Sequence, residues 1–274
     1  VGGFNEAFTG AGGATLLRRP GGRVMEIKGV SGVAFLNFVV NASGQMTEDG
    51  PLWVSNGTVY VMNSIFSSNQ GRRGSAIYAE ASQIGLLSNL FTNNYTRDFG
   101  VFCGIGSLYF GVANKYINNT TQAFSNWDAQ LILVGGVAIV SNHLFYLYGS
   151  LGPTDKKLID VYAKNMGTFL LHNSVFSSIL MSTNAVHLWL AGNMQQTSIL
   201  SNTFVGLVKY LMVKEGNWGG YQLRGNRVYT NSFLVLWAEL LPSSTNFIYF
   251  TNMADFNNPL KTRATPDSTD NIGL

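Results

Sequence analysis

The chain has 274 residues, 46% of them hydrophobic and only 11% charged, with a formal net charge of +3. That length and apolar share support one sizeable core, while charges at under half the usual fraction, with scattered basic residues, give no nucleic-acid surface. The single cysteine, Cys103 in the apolar run Gly100-Val-Phe-Cys-Gly-Ile, excludes an internal disulfide framework and reads as a small buried hydrophobe.

The first segment, Val1 to Arg19, is glycine-rich and shows no amphipathic helix, so residues 1–25 read as an N-terminal cap or first coil. A start at Val1 rather than Met suits a processed mature chain or an excerpt of a longer one. An asparagine then recurs along the chain, at Asn37, Asn63, Asn89, Asn114, Asn142, Asn173, Asn202, Asn226 and Asn252, with spacings of 26, 26, 25, 28, 31, 29, 24 and 26. Each follows a short apolar stretch and precedes an aromatic or branched residue, as in Leu86-Leu-Ser-Asn89-Leu-Phe91 and Ser198-Ile-Leu-Ser-Asn202-Thr-Phe204. A period of this length marks a repeat architecture.

The repeat is not helical. No long stretch places apolar residues at i, i+3, i+4 and i+7, and 31 Gly with 27 Asn favour frequent turns over helices. Each unit reads as one turn built from about three short strands, with equivalent residues of successive turns stacked about 4.8 Å apart. The fold expected is all-β: a single-domain right-handed parallel β-helix of about nine coils over residues 1–256, its hand set by the rule for parallel crossovers. Residues 257–274, polar and carrying Pro259 and Pro266, read as an extended C-terminal tail.

In such a coil the asparagine serves at a sharp corner, where it tolerates the left-handed conformation, and its amide can form a hydrogen-bonded ladder along the axis. Two or three places later Ile65, Phe91, Tyr116, Leu144, Val175, Phe204 and Val228 are expected to form one interior column. The most apolar segments, Leu131 to Val140 and Gly100 to Ala113, are too short and too rich in Gly to span a membrane and fit buried strands. Five N-glycosylation sequons lie in the first half, at Asn41, Asn56, Asn94, Asn118 and Asn119, with Asn41 and Asn94 expected near the outer surface.

Local text adds a resemblance. Phe38-Val-Val-Asn41, Phe66-Ser-Ser-Asn69 and Phe91-Thr-Asn-Asn94 match FxxN, Tyr116-Ile-Asn-Asn119 nearly does, and Gly74-Ser-Ala-Ile77 and Gly12-Gly-Ala-Thr15 look like a GGAI element. Their alternation over roughly residues 10 to 120 resembles the polymorphic outer membrane protein repeats of surface adhesins, and the pattern decays by Phe176-Ser-Ser-Ile179. The whole chain resembles the pectin-lyase-like superfamily of right-handed β-helices, which implies a fold shared by lyases, hydrolases, tailspikes and non-catalytic surface proteins, so function has to be read from residues.

Enzymes of that fold would need clustered Asp or Glu, with a Lys, Arg or His beside them. Among the 14 acidic residues only Glu48-Asp49 forms an adjacent pair, and Asp98, Asp128, Asp155, Asp160 and Asp255 stand apart in sequence. Counted from each preceding Asn, Asp128, Asp155 and His187 fall at +14, +13 and +14, in the three longest turns, with Lys156 and Lys157 beside Asp155. The competing reading is a solvated arc, since most charges share this phase, including turns without any candidate. His143 and His172 read as outward strand residues, and no spacing supports a metal or a cofactor.

Trp53, Trp127, Trp189, Trp218 and Trp237 fall on much the same arc, a pattern that suits stacking on sugar rings or a protein contact. The rod's ends would expose unpaired strand edges. The chain therefore reads as a non-catalytic, secreted or surface-exposed structural or adhesive module that associates with itself, head to tail into filaments, or with other surface proteins. The alternative is a polysaccharide-binding or polysaccharide-degrading protein of the same fold.

Overall fold

A computed structural model describes residues 6–9, 15–121, 129–147, 158–178, 185–206, 210–216, 218–229, 235–241 and 244–250. Every regular element among them is a β-strand. The strands follow from the sequence: runs of Val, Ile, Leu, Phe and Tyr between Gly, Asn and Ser, with buried and exposed positions alternating as in Thr58–Met62.

One turn shows the plan. Ile77–Glu80 lies in a first wall, Gln83–Leu87 in a second and Leu90–Thr92 in a third. Ile77 pairs in parallel register with Leu52 of the turn before and Phe102 of the turn after, and Phe91 stands between Phe66 and Tyr116 in the same way. The first two walls belong to a 17-stranded sheet, the third is a nine-stranded sheet from Thr15–Leu17 to Arg227–Tyr229, and a fourth has only Gln70–Arg73, Tyr95–Phe99 and Thr120–Thr121. Strands Phe102–Val112 and Ala129–Ser141 run unbroken through the first and second walls. The molecule is a parallel β-solenoid. Complete turns are fewer than the nine expected, because the first and last strands do not complete a circuit. At the far end the first wall finishes on Val235–Leu241, which pairs antiparallel with Ser244–Phe250.

The recurring asparagine turns out to occupy two adjacent columns. At the corner between second and third walls, Asn37, Asn63, Ser88, Ala113, Asn142, Asn173, Ser201 and Gly225 all take φ between 49° and 69°. The next position, Ser64, Asn89, Asn114, His143, Ser174, Asn202 and Asn226, is buried. There Asn89 Oδ1 accepts the Ser64 N–H at 2.9 Å, Asn114 Oδ1 accepts the Asn89 N–H at 2.9 Å, and Asn226 Oδ1 accepts the Asn202 N–H at 3.0 Å. Asn37, Asn63, Asn142 and Asn173 are thus corner residues, and Asn89, Asn114, Asn202 and Asn226 are the ladder. No turn carries asparagine at both positions of this corner, so counting asparagines shifts a spacing by one residue wherever the column changes; corner to corner the turns are 26, 25, 25, 29, 31, 28 and 24 residues long. Asn252 lies outside the described residues.

This one-residue offset corrects the interior column. A shift of one position in a strand moves a side chain to the other face. The interior column is Val40, Phe66, Phe91, Tyr116, Phe145, Phe176 and Phe204, all buried. Ile65, Leu144 and Val175, counted from corner asparagines, face outward, and Val175 is 38% exposed. From Phe66 to Phe204 the rings stack with centroids 4.7 to 5.2 Å apart and planes within 16°. Each such pair contributes about 0.5–1.5 kcal/mol beyond its burial.

A second ladder explains the FxxN text. At the corner after the third wall, Ala42, Ser68, Asn93 and Asn118 take φ from 44° to 54°. The buried residues that follow are Ser43, Asn69, Asn94 and Asn119. Asn94 Oδ1 accepts the Asn69 N–H at 3.0 Å and Asn119 Oδ1 accepts the Asn94 N–H at 3.0 Å. The aromatic of FxxN is the interior ring, and its asparagine is the rung three residues on. Phe38 and Asn41 match the letters but not the register, since Val40, not Phe38, pairs with Phe66.

Candidate functional site

Asp128, Asp155 and Trp127 lie outside the described residues, as do Lys156 and Lys157. His187, their proposed companion, does not face solvent. It is 1% exposed, in the interior, with its ring 5.6 Å from that of Phe176 and 5.8 Å from that of Phe204. Its Nδ1 donates to Asp160 Oδ2 at 2.6 Å, and the other oxygen of Asp160 accepts from Gln130 Nε2 at 2.6 Å. Gln130 Oε1 in turn accepts from Asn119 Nδ2 at 3.2 Å. The second ladder therefore continues through the core as a file of Gln130, Asp160 and His187, each no more than 2% exposed. Burial of an ion-forming pair is tolerated only when its remaining polar atoms are bonded, and this file supplies those bonds. It is a structural element, closed to a polymer substrate.

His143 is likewise interior, at 1% exposed, where an outward position was expected. It fills a rung of the first ladder. Its Nδ1–H donates to the Ser141 carbonyl at 2.8 Å, so Nε2 is the acceptor for the Tyr109 hydroxyl at 3.1 Å. Burial holds its pKa down, to about 4, against the raising effect of the Ser141 bond. His172, one turn on, is half-buried in its strand.

The sequons divide in the same way. Asn94 and Asn119 are 0% and 1% exposed rungs of the second ladder, so the folded chain cannot carry sugar there. This corrects the surface position expected for Asn94. Asn41 is half-buried and donates to Ser67 Oγ at 2.8 Å, Asn118 is half-buried at a corner, and Asn56 is exposed at a corner with φ 50°.

The tryptophans do not form one row. Trp53 and Trp189 share a register column on the outer face of the first wall, running Glu26, Trp53, Tyr78, Cys103, Ile132, Tyr162, Trp189 and Val213. Trp237 is aligned with Lys214, in the neighbouring column, and Trp218 lies in the second wall opposite Met194. The shared column is part of a second apolar cluster, separate from the coil's interior, in which Cys103 and Ile132 are fully buried and the two tryptophans are half-buried. Burial pushes the Cys103 thiol up to about 12, which leaves it inert. Arg23 and Lys28 lie over the Trp53 ring at 4.5 and 4.1 Å. Arg73 grips Asp49 with two bonds of 2.7 Å and lies 4.2 Å above Tyr78, whose hydroxyl donates to Glu80 at 3.1 Å. These contacts fasten the Trp53 and Tyr78 end of the column.

An open depression of about 310 Å³ lies at the N-terminal end, lined by Arg19, Arg23, Glu26 and Glu48. Glu26 is held below the usual carboxylate range by its bond to Lys28, reinforced by Arg23, so it is no proton donor near neutrality. General acid catalysis by a carboxyl needs the opposite shift. Among the described residues no three His, Cys, Asp or Glu gather as metal ligands, and no helix is long and apolar enough to cross a membrane.

No family model and no curated protein matches the sequence. Among solved structures, the chain is similar to PfbA, a surface adhesin of Streptococcus pneumoniae, at 10% identity and a TM-score of 0.29, covering 96% of this chain and 68% of that one. It is also similar to DFA-IIIase from Arthrobacter chlorophenolicus A6 without its lid, at 10% identity and a TM-score of 0.26, covering 74% and 61%.

Proposed function

We propose that the chain is a non-catalytic extracellular β-helix module, structural or adhesive, that joins end to end into filaments. The observation that carries this reading is the state of the coil's ends. Among the described residues, Thr15–Leu17 and Arg227–Tyr229 are the outer strands of the third wall, each paired on one side only. Such edges recruit another strand, and a contact that joins unlike ends propagates. Electron micrographs of the native material test it: fibres one coil wide are expected, and uniform single particles at high concentration refute it.

Secretion or display at a cell surface, with membership of the pectin-lyase-like superfamily and adhesin-type repeats, belongs to the same proposal. The exposed sequon Asn56-Gly-Thr58 is its marker. Intact mass of the native protein is expected to show hexose removed by the Asn56→Gln change. A second reading, binding or cleavage of polysaccharide, is favoured by the half-buried Trp53 and Trp189, which share one register column on the outer face of the first wall. Affinity electrophoresis in gels containing plant and bacterial polysaccharides, repeated with Trp189→Ala, distinguishes the two.

A further inference from the structure

The second wall has an outer face unlike any other part of the molecule. Its strands from Val33–Leu36 through Met194–Leu200, seven in succession, contain no Asp, Glu, Lys, Arg or Trp. Four of its large hydrophobic side chains are well exposed: Tyr60 at 44%, Leu87 at 41%, Leu108 at 45% and Phe110 at 52%. In the next turn Val137 and Ile139 occupy the positions beside Leu108 and Phe110 and are half-exposed. The face is level at its centre, because the Tyr60 ring lies across Gly85, where an added Cβ would meet it at 2.4 Å. Polar groups gather at the margins, at Thr58, Gln83, Thr168 and Gln196 on one side and the corner residues Asn63, Ser88 and Asn142 on the other, while toward the C-terminal end Ser141, His172 and Ser198 bring polar side chains into the face.

Seven strands about 4.8 Å apart and about five residues deep cover roughly 550 Å² in plan. That area lies at the upper end of the largest apolar patch on a typical monomer, about 300–600 Å², and patches of that size are often functional. An apolar centre with a polar rim is the anatomy of a protein interface. The chemistry of the face narrows its occupant. Interfacial membrane binding draws on basic and tryptophan side chains ringing the apolar surface, and here Trp218 and Arg224 stand only in the strand beyond Met194–Leu200, at one end of the patch, with none in the seven strands themselves. A sugar needs a concave site with converging polar groups, and the wall is flat. What fits a flat, uncharged sheet is another flat, uncharged sheet, packed about 10 Å away at about −30°.

We infer that a second copy of this chain covers the face, the two second walls packing against each other about a twofold axis. The same patch meets itself, so the contact is closed and self-complementary. Two copies remove roughly 1,100 Å² from water, above the about 1,000 Å² that a specific interface needs. This sideways pairing is independent of joining at the ends and uses none of the same residues.

Sedimentation of the full chain, from micromolar to near-millimolar concentration, tests it. The wild type is expected to be at least dimeric. Phe110→Lys is expected to weaken the pairing about thirtyfold or more, as loss of an interface centre does. Leu108→Lys is expected to act alike, and Val175→Lys, an exposed position on the third wall, to leave pairing unchanged. Equal thermal midpoints show that the variants are folded. A wild type monomeric at every concentration overturns the inference, as does association insensitive to both Phe110→Lys and Leu108→Lys. A monomer that binds phosphatidylcholine–phosphatidylglycerol vesicles through Phe110 replaces the second copy with a membrane. Micrographs of Phe110→Lys separate the two assemblies: fibres without pairing leave the end-to-end reading intact, and pairs without fibres leave only the sideways one.

Discussion

The two halves of the coil solve one problem differently. From Met25 to Thr121 successive turns are 25 to 27 residues long and meet at corners backed by two ladders, one through Asn89 and Asn114, the other through Asn69, Asn94 and Asn119. From Ala129 onward the first ladder continues through His143, Ser174, Asn202 and Asn226, but the second gives way to Gln130, Asp160 and His187. The first solution is neutral and repeats. The second places a carboxylate and an imidazole in the core, where each depends on the other for its bonds. Regular turns tolerate local loss; the irregular file concentrates its dependence on one residue.

The sharpest way to break this comparison is Asp160→Leu, expected to cost about 4 kcal/mol in urea unfolding because it strands both Gln130 and His187. The double change Asp160→Leu with His187→Leu is expected to cost less than the single one; equal or greater loss would show that the pair is not the unit. In the first half, Asn94→Leu orphans the Asn69 N–H and the Phe66 carbonyl and is expected to cost about 3 kcal/mol. A loss there above that of Asp160→Leu reverses the ranking of the two halves.

His143 marks the junction and carries a pH dependence. Its folded pKa, about 4, is depressed below that of an unfolded histidine near 6.5, so the neutral form is the folded one. Its contribution is complete above about pH 6.5 and falls by about 1.4 kcal/mol for each unit below that until the folded pKa is reached. Between pH 7 and 5 the wild type is expected to lose about 2 kcal/mol more than His143→Asn, which puts a neutral rung in the same place. Equal pH profiles would remove histidine from the account. The smallest effect is at Ala113, whose φ of 55° strains any side chain. Ala113→Gly is expected to stabilise by about 0.5 kcal/mol, relief of strain exceeding the added freedom of the unfolded chain.

The parallel coil was legible because asparagine and aromatic residues recur with one period, and a helix cannot use either in that way. The exact phase was not. Asparagine suits both a left-handed corner and a buried rung, so Asn63 and Asn89 look alike in sequence although they stand one position apart, and counting from Asn63 points to Ile65 where Phe66 is the interior residue. The charged arc is solvated only in part: Arg97 is exposed, whereas Asp49 and Asp160 are buried. Its apparent site was not legible, since His187 was grouped with Asp128 and Asp155 by phase alone, whereas its partner is Asp160. A signal existed: Asp160 is a lone charge amid Leu158-Ile-Asp-Val-Tyr-Ala, in a strand whose neighbours are all buried. The bare second wall was written in the sequence as an absence of Asp, Glu, Lys and Arg from seven successive strands, Val33–Leu36 to Met194–Leu200, visible only once the turns are laid in register.

The first ladder also has a direction. Ser64 donates its N–H to Asn89, Asn89 to Asn114, Ser174 to Asn202 and Asn202 to Asn226, always from the earlier turn to the later. The two ends of the rod are therefore chemically distinct, one leading with donors and the other with acceptors. A filament built from such rods would be vectorial, with a plus end and a minus end fixed by the side chains of asparagine.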